Sequence, residues 1–134
     1  MTNSTSVVFD HERLHVYQRA LDLMEAADRF APLFGSRRRH LGWQLHRAAA
    51  AVVLNIAEGN GRSTGPDRSH FMLISLGSAA ECAAVMDIAD RLEIGTPDDR
   101  SELKRIAEEC LKMLAALSRN TRNRSPTDPG RSYS

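Results

Sequence analysis

Aromatic side chains make up only 5% of the 134 residues, cysteine occurs twice, and no run of 18 or more apolar residues is present. Each scarcity excludes something. Strands favour aromatic and β-branched side chains, so a β-sandwich is disfavoured. Without an apolar run of bilayer length, no transmembrane helix is expected and a membrane is not an expected partner. Residues 1–6 are polar and contain no apolar h-region, so no secretory signal is expected either. Cys82 and Cys110 lack CxxC spacing and fall inside helical patterns. They are read as small core residues in a reducing compartment, with the cytoplasm as the expected location. No spacing pairs a nucleophile with a base. The chain is therefore expected to be no enzyme, with no catalytic residue and no cofactor.

What is abundant is small aliphatic volume: 42% of the chain is hydrophobic, mostly Ala, Leu, Ile, Met and Val. That length supports one domain with a sizeable core. Apolar periodicity predicts four amphipathic helices and no strand, at about 11–31, 37–59, 66–92 and 97–120. Asp10 and Ser36 are the expected N-caps of the first two, and Thr96-Pro97-Asp98-Asp99 opens the fourth with a cap, a proline and first-turn acids. The expected seam of helix 2 is Leu41, Leu45, Ala48, Val52 and Asn55. That of helix 3 is Phe71, Ile74, Ser78, Glu81, Val85, Ile88 and Leu92. Sustained 3-4 spacing with short connections predicts an all-α, left-handed, up-and-down antiparallel four-helix bundle over 10–120. Residues 1–9 are expected to be a flexible N-terminus and 121–134 a disordered basic tail.

Polar residues interrupt this pattern. Asn55 and Glu58 lie three apart at the end of helix 2, and Ser78 and Glu81 repeat the spacing in helix 3. An antiparallel hairpin is expected to bring the four together. A seam carboxylate needs a partner, and Gln44, Arg47, Asn55 and Arg62 are the candidates for Glu81. The group reads either as a register-setting or subunit-docking network or as a ligand-binding patch. Gly77-Ser78-Ala79-Ala80 has no helix-propensity reason for its glycine, so close approach of another helix is expected there, within or between subunits. Glu12-Arg13-Leu14-His15 and Asp67-Arg68-Ser69-His70 match the Glu-x-x-His pattern of di-metal bundles poorly, since both begin helices, and no metal site is expected. Gly59-Asn60-Gly61-Arg62-Ser63 lacks a P-loop lysine and follows a helix, so it reads as a C-cap and turn.

A formal net charge of +1 hides a split. From 31 to 57 there is no acid, while Arg37, Arg38, Arg39 and Arg47 are joined by His40 and His46. From 81 to 110, nine acids face four bases. Such a split serves an anionic partner, head-to-tail subunit docking, or nothing beyond a solvated face. Three arginines at a helix start oppose the helix dipole, and phosphates would compensate them. The candidate nucleic-acid contacts are Arg37, Arg38, Arg39, His46 and Arg47. Interleaved aromatics are absent, so base stacking is not expected.

Gln44-Leu45-His46-Arg47-Ala48-Ala49, then Asn55-Ile56-Ala57-Glu58-Gly59 followed by Gly61-Arg62, with Phe71 to Leu76, Gly77-Ser78 and Glu81 beyond, resembles the four helix bundle proteins of the 23S rRNA intervening-sequence type. The opening Leu14-x-Val16-Tyr17-x-x-Ala20 is similar too, so the resemblance covers about residues 9–120. The accessory variability determinants of diversity-generating retroelements share the fold group. The resemblance implies an up-and-down bundle, assembly into a homopentameric ring, no known catalysis, and for some members binding of nucleic acid and a reverse transcriptase. The partners so implied are the chain itself and either RNA or a nucleic-acid enzyme; a purely structural scaffold is the alternative. His46 stands where the family frequently has arginine, leaving one cation fewer for RNA. Ala51-Val52-Val53 replaces a common Ser-Ile-Pro, and helix 2 is expected to be straighter for it.

Overall fold

The computed structural model describes residues 10–123; residues 1–9 and most of the tail, on which flexibility was expected, lie outside them. Four helices follow one another: α1 His11–Phe30, α2 Arg39–Asn60, α3 Gly65–Leu92 and α4 Pro97–Asn123. Each packs against its two neighbours in the cycle α1–α2–α3–α4–α1, an up-and-down four-helix bundle.

The helix starts follow capping chemistry. The Asp10 carboxylate accepts from the Arg13 amide at 2.9 Å, and the Thr64 and Thr96 hydroxyls accept from the Asp67 and Asp99 amides at 3.2 and 3.1 Å. Helix α2 differs from expectation. Ser36–Arg38 form a 3-10 turn, so α2 begins at Arg39, behind Arg38 and with no side-chain cap. Ahead of it a further 3-10 turn, Ala31–Phe34, ends at Gly35, φ +74°. Helix α4 runs three residues past its expected end at 120, through Asn123; Thr121 is buried there, so packing extends the helix beyond its periodic apolar pattern.

The core is aliphatic. Leu23, Leu45, Ile56, Met72, Leu103 and Leu114 are essentially inaccessible to water. Cys82 and Cys110 are buried among them, and burial pushes both thiols up to about 12. They stay protonated at neutral pH and contribute stability that is fully present below the ordinary thiol value of about 9 and lost as pH rises toward 12. Neither thiol is expected to react with a thiol-directed reagent at pH 8 in the folded protein. Both should react in guanidinium, and titration with a chromogenic aromatic disulfide counts them; rapid labelling of the native chain would contradict this burial.

Helix α3 departs furthest from expectation. Its buried stripe is Met72, Ser75, Ala79, Cys82, Met86 and Ala89, each one residue after a predicted seam position, while Val85 of the predicted seam is buried beside it. One residue turns a helix by about 100°. The expected seam residues Ile74, Ile88 and Leu92 therefore keep 40%, 40% and 39% of their surface in water. Both stripes have 3-4 spacing, and the one with smaller side chains faces inward, because α3 must lie close against both α2 and α4. Ser75 fits that close approach by donating its hydroxyl to the Val52 carbonyl at 2.8 Å. By length and composition α3 is also apolar enough to cross a bilayer, its charges lying mostly toward its two ends. Only 33% of its most apolar 18-residue stretch is buried in the chain.

Candidate interaction surfaces on α2 and α3

The polar residues of α2 and α3 form two groups rather than one. Toward the start of α2, the Arg47 guanidinium donates to the Gln44 side-chain oxygen at 3.0 Å, approaches the Glu81 carboxylate at 3.7 Å, and lies over the Trp43 ring at 5.4 Å. Toward its end, Arg62 donates to Glu58 at 2.6 Å and lies over the Phe71 ring at 4.6 Å. Arg47 and Glu58 are eleven positions apart, about 16 Å along the axis, so the expected four-residue cluster is split. Asn55 turns to its own helix, donating to the Ala51 carbonyl at 2.8 Å, and Ser78 is half-buried between the groups. Glu81 is not a buried carboxylate: its side chain is 41% exposed, because the turn of α3 that sets the seam also lifts it to the surface. Of its candidate partners the geometry selects Arg47.

Below these groups two buried arginines hold the α2–α3 turn. Arg68 donates from Nε to the Arg62 carbonyl at 2.6 Å, and Arg13 of α1 donates to the Asn60 side-chain oxygen at 3.1 Å while facing Asp10 at 3.4 Å. Gly59 is required here, since a Cβ would stand 2.9 Å from the Phe71 Cβ and 3.3 Å from the Arg68 carbonyl. The glycine-rich span is thus a tightly packed helix end and turn. Neither arginine stood out in the sequence, because a cation at a helix start normally signals solvent.

The candidate nucleic-acid contacts separate as well. Arg37 and Arg39 are exposed and Arg38 half-buried at the α1–α2 corner, and none has an ion-pair partner among the described residues. His46 instead meets Asp28 of α1 at 3.0 Å, and Arg47 is directed to Glu81. Trp43, 63% exposed, is the residue sequence reasoning missed. It lines a shallow groove with Arg39, His46 and Asp28, so an aromatic does stand beside the basic corner. Its position on the outer side of α2, opposite Leu45, was the available signal. Glu12 and His15 lie on the surface at the start of α1, and Asp67 and His70 at the start of α3. Among the described residues no group of three or more His, Cys, Asp or Glu is placed to hold a metal.

The sequence profile of the 23S rRNA-intervening sequence proteins matches residues 12–116. The chain belongs to that family. The match takes in all of α2 and α3 and both polar groups described above. No curated protein matches the sequence. Among solved structures, a protein of unknown function from the S23 ribosomal protein family of Bacteroides thetaiotaomicron VPI-5482 superposes with a TM-score of 0.74 at 16% identity. The superposition covers 81% of this chain and 98% of that one, and at this identity it speaks for the fold.

Proposed function

We propose that this family member is a non-catalytic, self-assembling interaction module that forms a ring and binds RNA, or an enzyme acting on nucleic acid, through the α1–α2 corner. The observation that carries the binding half is the cluster of Arg37, Arg38 and Arg39. They stand at the start of α2 with no counter-charge among the described residues, whereas most other cations of the bundle are paired, Arg19 to Glu109, Arg100 to Asp90 and Lys104 to Asp87 among them. Cations beside a helix N-terminus gain by meeting phosphate, whose charge satisfies the arginines and the free amides together. The test is a salt series of RNA titrations. Binding is expected to weaken steeply with salt. Replacing the three arginines by alanine is expected to reduce the log–log slope by about 2 to 3. Affinity that ignores salt, or no affinity at low salt, would remove RNA from the proposal.

A second reading, a structural scaffold without nucleic acid, is supported by Glu93, Asp98, Asp99 and Glu102. These acids lie on the α3–α4 side of the same end of the bundle as the arginines. Opposite charges on opposite sides suit a head-to-tail ring. On this reading Arg38→Glu changes the assembly size in light scattering while no RNA is retained.

A further inference from the structure

Trp43 is the only tryptophan of the chain, and 63% of its surface lies in water at the α1–α2 corner. The fold itself has no use for an indole there, since Leu45, Ala49 and Val52 fill the inward side of α2. The free energy of so large an apolar ring falls whenever a flat partner covers it. Its neighbours along the helix are cations. Arg39, Trp43 and Arg47 stand four residues apart, so they form one row on the outer side of α2, about 12 Å long.

The groove beside the ring has the size and the charge of a ligand site. It holds about 500 Å³, within the range of small-ligand clefts, and Ala31, Pro32, Gly35 and Gly42 line it with little side-chain bulk. Arg39 lines it too, and like Arg37 and Arg38 just before it has no ion-pair partner among the described residues. One carboxylate lines the groove, Asp28, and His46 stands against it at 3.0 Å. Three arginines against that one acid leave the groove with excess positive charge, His46 uncounted. Arg47 lies over the ring at 5.4 Å but does not line the groove, and it is itself held by Gln44 and Glu81. It steadies the indole and leaves the groove side of the ring open.

We infer that this groove takes an unpaired nucleotide of an RNA strand: the base stacks on Trp43, and the adjoining phosphates meet Arg37, Arg38 and Arg39. Excess positive charge selects a polyanion. The aromatic ring among the arginines selects a polyanion whose bases are free, because every base has a π-face and a paired base keeps it inside its own helix. An A-form duplex would offer its phosphates to the arginines and nothing to the ring. The inference rests on the RNA half of the proposed function and narrows its ligand to a single-stranded segment.

Because the chain has one tryptophan, the intrinsic fluorescence of the full-length protein reports this groove alone. The probes, each titrated at low salt, are an oligouridine of about a dozen nucleotides, an RNA duplex of about 40 base pairs and inorganic polyphosphate. Oligouridine is expected to quench the emission to a saturating value, while the duplex and polyphosphate bind through charge and leave it nearly unchanged. Trp43→Ala removes mostly exposed atoms, so the fold is spared, and circular dichroism checks the helix content. It is expected to weaken oligouridine binding about 10- to 100-fold, read by anisotropy of a labelled strand, with the salt slope and the polyphosphate affinity unchanged. Trp43→Tyr keeps a stacking face and is expected to recover most of that loss. Oligouridine binding that Trp43→Ala leaves unchanged, or equal quenching by the duplex, overturns the inference and leaves RNA binding standing. No binding of oligouridine or duplex at low salt overturns both. Quenching by oligoglutamate with none by oligouridine would give the groove to an acidic protein and likewise overturn it.

Discussion

Gly42→Val is expected to lower stability by about 3 kcal/mol or more, enough to reduce the thermal midpoint by roughly 10 °C in a domain of this size. The glycine is buried at the point where α2 passes the end of α1, and its Cβ would stand 2.5 Å from the Ala31 carbonyl oxygen and 3.3 Å from the carbonyl carbon. Backbone atoms cannot rotate aside as a flexible side chain does. Either α2 moves away from α1 or the 3-10 turn Ala31–Phe34 is displaced, and Phe34, packed edge-on against Phe30 at 5.7 Å, moves with it. The valine also stiffens the helix, but that propensity term is a few tenths of a kcal/mol and does not decide the outcome. Thermal unfolding followed at 222 nm measures the effect. A midpoint within 2 °C of the wild type would show that the α1–α2 corner yields more readily than a packed backbone should.

Leu45→Ala is expected to cost about 3 kcal/mol, within the 2–5 kcal/mol seen for such truncations in tight cores. Leu45 has no accessible surface and faces the centre of the bundle beside Ala49 and Val52. Deleting its branched end leaves a void that rigid neighbours on four helices cannot close. The same substitution nine residues later, at the exposed Leu54, should leave the stability of the single chain almost unchanged, since that side chain already lies in water. Urea unfolding of the two variants beside the wild type separates them. Equal losses would mean that Leu54 is packed within the chain.

That pair of leucines shows how far the sequence could be read. In α2 the polar residues are distributed so that a single apolar stripe remains, and Leu45, Ala48 and Val52 were predicted inside and are buried. In α3 two neighbouring stripes are apolar with the same 3-4 rhythm, and periodicity has no means of ranking them. The predicted stripe carried the larger side chains, and the structure places the smaller one inward. The polar network was legible as a set of residues but not as a geometry. Whether Glu81 stands near Glu58 depends on the register of two antiparallel helices, which helical spacing within either strand of the hairpin does not contain. Arg13 and Arg68 were invisible as structural residues for the same reason: their partners, Asn60 and the Arg62 carbonyl, come from the turn and from another helix.

The sequence by itself determined the number of helices, the caps of α1 and α4, the up-and-down order and the family. These follow from local chemistry and from motifs written in consecutive residues: a carboxylate or hydroxyl for free amides, glycine where a helix ends, apolar positions every three or four residues. Only the tertiary structure decided which side of α3 is core, which carboxylates meet which arginines, and which glycines the chain needs for its own packing. Those are questions of distance between segments far apart in sequence. At Gly42 and Gly59 the answer is a neighbouring atom within 3 Å, and at Gly77 it is open space.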